Sequence, residues 1–100
     1  MRTPLTMKKS QQIAARFTQL RDATAAIDWF RNQAIDPAAI GAFAVPPDGQ
    51  PRPPRAGDNA RTDLGWIVSL DLNRARISRK DAVATLRREG GSLIGRAPDG

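Results

Sequence analysis

One stretch of the sequence, residues 64–94, constrains the fold more than any other. Apolar residues such as Trp66 and Leu70 occupy every second position between residues 64 and 72. Because successive side chains of a strand point to opposite faces, this pattern predicts a strand with one strongly apolar face. Residues 73–77 then predict a turn.

A capped helix is expected after that turn. Ser78, followed three residues later by Asp81, is typical of a helix N-terminus, where the hydroxyl accepts a backbone N–H. A Gly-Gly pair at 90–91 can supply the left-handed residue that ends a helix. The sequence therefore predicts a helix over 78–89 and a strand over 92–94.

The first half of the chain predicts a similar unit. Ile13, Ala15 and Phe17 alternate with Gln12, Ala14 and Arg16, which indicates a strand within residues 11–20 with one buried face.

A helix is predicted to follow this strand over residues 23–34, with Asp22 as its N-terminal cap. Pro37 ends the helix, since proline cannot continue the backbone hydrogen bonding. Residues 40–45 are apolar throughout and predict a short strand. Because apolar and polar residues do not alternate there, the pattern does not show which side chains face the core.

Two segments are expected outside these elements. Residues 1–10 predict a disordered basic tail. The Pro- and Arg-rich segment 46–62 is longer than most connections and predicts a mobile loop inserted in a hairpin. We therefore expect one domain over residues 11–97.

The two halves also echo each other. Phe30 and Arg31 in the first helix correspond to Leu86 and Arg87 in the second, and each half closes on a Pro-Asp-Gly turn. Two strand–helix–strand units joined by a hairpin predict an α+β fold of ferredoxin-like order, β-α-β-β-α-β. In that order two helices cover one face of a four-stranded antiparallel sheet.

In residues 17–40, a predicted strand containing Phe17 is followed by a helix with spaced alanines and then by a second strand. In residues 67–94, a strand is followed by a helix that ends at a Gly-Gly pair. Over residues 13–96 this resembles the small bacterial general-stress domains known as heat-induced stress proteins. The resemblance implies a stress-associated role and brings no catalytic residues with it. Many such domains carry a Gly-rich apolar insert where this chain has the 46–62 loop, so a shared partner does not follow.

The sheet face without helices is the first place to expect binding. If a second copy covers it, the candidate contacts are Ile67, Ser69, Phe43 and Ile94. Trp29 lies off the apolar stripe of its helix and is a candidate for the edge of such a patch.

The charge of the chain offers an alternative. Lys and Arg number 16 against 10 Asp and Glu, a net charge of +6, which favours polyanions. The candidate nucleic-acid contacts, on the open sheet face and in the loop, are Arg16, Arg52, Arg55, Arg61 and Arg96. Scattered solvated arginines are the competing interpretation, since Phe17 and Trp66 are predicted to face the core and only the direction of Phe43 is open.

Composition removes several classes of function. The chain has no Cys and no His, so thiolate chemistry, the common zinc ligands and the usual general base are absent. No close pair of carboxylates suggests acid–base catalysis. We expect no enzyme activity, no cofactor and no metal.

No apolar run is long enough for a signal sequence or a membrane span, so we expect a bacterial cytoplasmic protein. Taken together, the sequence predicts a non-catalytic stress-associated or regulatory interaction domain that forms a homodimer. A basic nucleic-acid-binding protein is the alternative, and a small-ligand sensor is a third hypothesis.

Overall fold

The computed structural model describes residues 11–94. In chain order the elements are β1 (Gln12–Phe17), α1 (Leu20–Asn32), β2 (Ile40–Val45), β3 (Gly65–Asp71), α2 (Leu72–Ala75), α3 (Arg79–Arg88) and β4 (Ser92–Ile94). Two 3₁₀ turns, Pro37–Ala39 and Asp58–Ala60, lie in the connections. The predicted tail at 1–10, the domain end at 97 and the second Pro-Asp-Gly turn lie outside the described residues.

The predicted α+β class is confirmed. The four strands form one antiparallel, open sheet in the order β2-β3-β1-β4. The bounds of β2 and β4 coincide with the predicted ones. The predicted turn at 73–77 is wrong in part, because Leu72–Ala75 form the short helix α2. The Asp71 carboxylate caps it by accepting N–H groups from Asn73 (3.1 Å) and Arg74 (3.3 Å).

The central pair of strands sets which side chains face the helices. In the register of β1 on β3, Phe17 lies opposite Trp66 and Ile13 lies opposite Leu70. These residues belong to the main buried cluster, together with residues of α1, α2 and α3. The inward direction predicted for Phe17 and Trp66 is therefore confirmed.

Small residues let the helices approach this face closely. Ala23 and Ala26 of α1 and Ala82 of α3 are each at most 2% exposed. Gly91, just after α3, is required by space, since a Cβ there would lie 2.7 Å from the Phe17 ring and 2.9 Å from the Leu86 carbonyl oxygen. The helical layer is thus close-packed against the strands.

The two long helices begin differently. The Ser78 hydroxyl accepts the Asp81 N–H at 3.1 Å, as the capping pattern predicts. The predicted cap at Asp22 is wrong, because α1 starts at Leu20 and Asp22 lies within its first turn. The extended residue before α1 is Gln19, whose side chain makes no cap hydrogen bond. An acidic residue in the first turn still favours the helix through its dipole.

The same two helices end alike. After α3 the N–H of Gly90 bonds to the Arg87 carbonyl (3.0 Å) and that of Gly91 to Leu86 (2.8 Å). After α1, Ala34 bonds to Arg31 (3.0 Å) and Ile35 to Phe30 (3.3 Å). This is the paired hydrogen-bond pattern that closes a helix with a left-handed residue. Gly90 has φ +96°, and Ala34, at the corresponding position, has φ +62°.

No helix within residues 11–94 combines the length and apolar character needed to cross a membrane.

Exchanging the residue type at these two helix ends should change stability in opposite directions. Gly90→Ala should lower the free energy of unfolding by about 1 kcal/mol, because a Cβ is disfavoured at positive φ. Ala34→Gly should raise it by up to about 1 kcal/mol, partly offset by the greater backbone entropy of glycine when unfolded. Urea unfolding measures both, and a destabilised Ala34→Gly variant would contradict the assigned strain.

Candidate functional site

Three surfaces could carry function: the sheet face opposite the helices, the long loop and a groove between the helices. The register of the strands defines the first of them, which we call the open face. Its residues are Gln12, Ala14, Arg16, Gly41, Phe43, Val45, Gly65, Ile67, Ser69, Asp71, Ser92 and Ile94.

The open face brings the four predicted dimer contacts together. Phe43 lies opposite Ile67 on the neighbouring strand. Ser69 and Ile94 flank Ala14 in the next row, on its two sides. Phe43, Ser69 and Ile94 are partly exposed.

Ile67 differs from its prediction. It lies on the expected face but is only 6% exposed, in a second buried cluster with Ala14 and Val45. Phe43 and Ile94 pack against this cluster. The guanidinium of Arg16 reaches to within 3.0 Å of the position that a Cβ of Gly65 would occupy, so this side chain also extends over β3. Long side chains on the adjacent strands therefore shield Ile67, which the alternation of side chains along the strand alone predicted to be exposed.

Gly41 and Ser69 form a tight pair on the same face. A Cβ at position 41 would overlap the Oγ of Ser69. The glycine therefore makes room for the hydroxyl within the sheet surface.

The open face is nearly neutral. Its charged residues among those described are Arg16 and Asp71. The side chain of Asp71 already caps α2.

The long loop makes backbone and side-chain contacts of its own. Arg52 forms an antiparallel bridge with Ala44, with N–H···O distances of 2.8 and 2.9 Å in the two directions. Continued pairing would place Pro54 opposite Ala42, and proline has no N–H to donate. The bridge therefore ends after one pair.

A bidentate ion pair closes the loop on itself. The two terminal nitrogens of Arg52 donate to the Asp58 carboxylate at 3.0 and 2.9 Å, and the Arg55 N–H donates to it at 2.7 Å. The Arg52 and Asp58 side chains are 15% and 7% exposed. These hydrogen bonds lower the pKa of Asp58 to about 2 and raise the pKa of Arg52.

The remaining predicted anion contacts are dispersed. Arg61 is paired with Asp63 at 2.9 and 2.7 Å on the surface, and the pKa of Asp63 is lowered by this pair. Arg55 is exposed in the loop and Arg16 lies on the open face. Arg96 lies outside the described residues. Two of the predicted cations are thus already occupied by carboxylates.

Sequence reasoning missed a groove between α1 and α3. This inter-helix groove has a volume of about 480 Å³ and is lined by polar residues beside apolar ones; its polar and aromatic lining is Trp29, Gln33, Arg76, Asp81, Thr85 and Arg88. The Arg88 guanidinium carbon lies 5.3 Å from the centre of the Trp29 ring. The signal in the sequence is the position of Trp29 off the apolar stripe, which alone does not identify the opposite wall.

A smaller apolar cleft, about 280 Å³, lies where the loop passes over α1 and β3. Leu20, Ala23 and Ile27 line it from α1, and Trp66 lines it from β3. Pro54 and Ala42 border the same cleft, next to the bridge between Ala44 and Arg52.

Comparison of the chain with protein-family models, curated proteins and solved structures finds no match. The resemblance to general-stress domains therefore stays a prediction from the sequence.

Replacing Asp58 should loosen the loop. In Asp58→Asn the guanidinium of Arg52 loses its charged partner, so the Ala44 and Arg52 amides should exchange with solvent about tenfold faster or more. Asp63→Asn breaks the exposed pair of the same loop and should leave both amides unchanged. Amide hydrogen exchange followed by NMR measures the difference, and equal effects of the two variants would contradict the role of Asp58.

The same ion pair predicts an acid dependence. Because the pKa of Asp58 is lower in the folded state, at about 2, than the ordinary value of about 3.9, its stabilisation is complete above about pH 4. It is lost as the pH falls through about 2. Exchange of the Ala44 amide, corrected for intrinsic rates, should show this loss in the natural protein and not in Asp58→Asn.

Proposed function

We propose that this chain is a non-catalytic interaction domain that forms a homodimer through its open face, in a stress-associated or regulatory role. The observation that carries the proposal is an apolar and charge-balanced sheet face in a chain whose net charge is +6. The stress-associated part rests on the sequence resemblance alone.

We infer further that the fold is ferredoxin-like. The strand order supports this inference, because β3 lies between β1 and β2, and β1 lies between β3 and β4. Each strand–helix–strand unit is thus split by a strand of the other unit. The extra helix α2 is a departure from the six-element pattern.

Charge favours a second copy as the occupant of the open face. A chain of net charge +6 repels copies of itself over most of its surface. The open face carries one cation, Arg16, and one anion, Asp71, among the described residues. Two such faces can approach without net repulsion, and a two-fold arrangement requires the surface to be complementary to itself.

The size of the face favours a weak dimer. The strands are spaced by about 4.8 Å, and three of them are about 20 Å long while β4 is about half that, which gives a flat area of roughly 350 Å² per copy. A typical stable interface buries about 800 Å² per partner. We therefore expect dissociation in the micromolar range.

The acidic residues support a non-catalytic role. Asp36 accepts the Ala38 N–H at 2.9 Å and Asp71 caps α2, while Asp58 and Asp63 hold arginines. Each of these carboxylates already has a structural partner.

Nucleic-acid binding has less support. Arg52 and Arg61 are held by carboxylates, and the open face that would have to meet a polyanion is nearly neutral. Phe43 is the one aromatic residue that the described strands place on this face.

Removing apolar side chains from the open face should weaken the dimer. The double variant Phe43→Ser with Ile94→Ser should raise the dissociation constant at least about tenfold, because both partly exposed residues would lie in the interface. Val83→Ser, at a partly exposed apolar position on α3, is the matched control and should leave association unchanged. Analytical ultracentrifugation measures association, and a monomeric natural protein at high concentration would contradict the proposal. Ile67 is unsuitable for this test because its burial makes any polar substitution a test of folding.

A mobility-shift titration separates the alternative. We expect no discrete complex with DNA or RNA at physiological ionic strength. A salt-sensitive complex that weakens in Arg16→Gln and Arg55→Gln would favour nucleic-acid binding instead.

A further inference from the structure

The inter-helix groove combines an aromatic wall with two arginines. Trp29 of α1 and Gln33, the residue that follows the helix, are four residues apart and lie on one side of it. On α3, Thr85 and Arg88 are three residues apart and likewise share one side of the helix. The cation–π contact of Arg88 with Trp29 sets the two walls opposite each other at one end of the groove.

Arg88 is only partly occupied by other contacts. Its Nε lies 3.4 Å from a carboxylate oxygen of Glu89, in an exposed pair with a long hydrogen bond. Such surface pairs contribute little. The terminal nitrogens of Arg88 are not used in that contact, so they remain able to donate to a ligand.

Arg76 is the second arginine of the groove, and its backbone is unusual. It follows α2 with φ +57°, a conformation in which glycine or asparagine is favoured. Within residues 11–94 it forms no ion pair. A non-glycine residue with this backbone conformation is consistent with a use for its side chain.

The strain at this site has a counterpart across the groove. Ala34 and Arg76 are the two non-glycine residues with positive φ in the described part of the chain. Both line a polar continuation of the groove, which shares Gln33 and Arg76 with it and also contains Arg74 and Asp36. Strained residues cluster at functional sites more often than elsewhere.

Thr85 adds a polar group in an otherwise buried position. It is 2% exposed, yet it lines the groove beside Trp29. Ile35 and Ile77 supply apolar surface to the same space. The groove therefore offers a flat aromatic contact, aliphatic walls and hydrogen-bond donors within one concave site.

We propose that the inter-helix groove binds a small organic anion with a flat apolar part. The ring of the ligand lies against Trp29 and the two isoleucines, and its carboxylate or phosphate group accepts hydrogen bonds from Arg76 and Arg88. Arginine matches both anionic groups because its planar fork can donate two parallel hydrogen bonds. The volume of about 480 Å³ is within the range of small-molecule sites.

The charges of the groove are consistent with a singly or doubly charged anion. Arg76 and Arg88 outweigh Asp81, the one acidic residue in its lining. Asp81 lies seven residues before Arg88 on α3, about 10 Å along the helix axis. Asp81 is therefore well separated from Arg88 along the helix.

The test uses 2-naphthoate and 2-naphthyl phosphate as probes, followed by ¹H–¹⁵N NMR of the natural protein. We expect saturable shifts of the Trp29 indole N–H and the Thr85 amide with at least one probe. The uncharged analogue 2-naphthamide should bind about tenfold more weakly than 2-naphthoate or not at all, since a charge-assisted hydrogen bond is lost. Inorganic phosphate alone should bind more weakly than naphthyl phosphate, and the tighter of the two naphthyl anions identifies the preferred anionic group.

Variants assign the contacts. Arg76→Gln and Arg88→Gln should each weaken binding of the probe about tenfold, and their NMR spectra should retain the dispersion of a folded protein. Arg87→Gln, at an exposed neighbouring position outside the groove lining, is the matched control and should bind like the natural protein.

Three results would overturn the proposal. One is the absence of saturable shifts with both anionic probes up to about 10 mM, a concentration at which even a weak specific site is occupied. Another is equal affinity for 2-naphthamide. The third is equal loss of affinity in Arg87→Gln and in the two groove variants, which would indicate attraction to net charge alone.

Discussion

The pairing of β1 with β3 is the constraint on which the rest of the structure depends. Six residues of β1 pair in one continuous register, from Gln12 opposite Asp71 to Phe17 opposite Trp66. A shift by one residue would turn every apolar side chain of one strand from the helical layer to the open face. The outer strands add to the two sides of this pair, so their positions and the two faces of the sheet follow from it.

The two sides of the sheet are built for different tasks. On one side alanines and Gly91 bring α1 and α3 close to the strands, and the groove forms above the core where Trp29 and Arg88 meet. On the other side Phe43, Ile94 and the side chain of Arg16 shield the buried cluster around Ile67. The proposed dimer and the proposed ligand site therefore occupy opposite layers and do not compete for residues.

The predictions that succeeded depended on period and on local hydrogen bonding. Alternation in β1 and β3, the hydroxyl cap at Ser78 and the glycine at the end of α3 are each determined by a few neighbouring residues. The features that were missed depended on which side chains meet in the folded chain. In the 46–62 loop, the contacts of Arg52 with Asp58 and Ala44 were not predicted. The groove could not be predicted because its walls are about 50 residues apart in the chain and meet only after both helices pack on the sheet.

By itself, the sequence determined the α+β class, the number of strands, the direction of the core-facing side chains and the absence of Cys and His chemistry. These features can be predicted because each depends on the residue types and their spacing over a few neighbouring positions. Only the tertiary structure decided that Ile67 is shielded and that Arg76 and Arg88 line one groove. These outcomes depend on which side chains meet across strands and helices, and distance in the sequence does not determine distance in the fold.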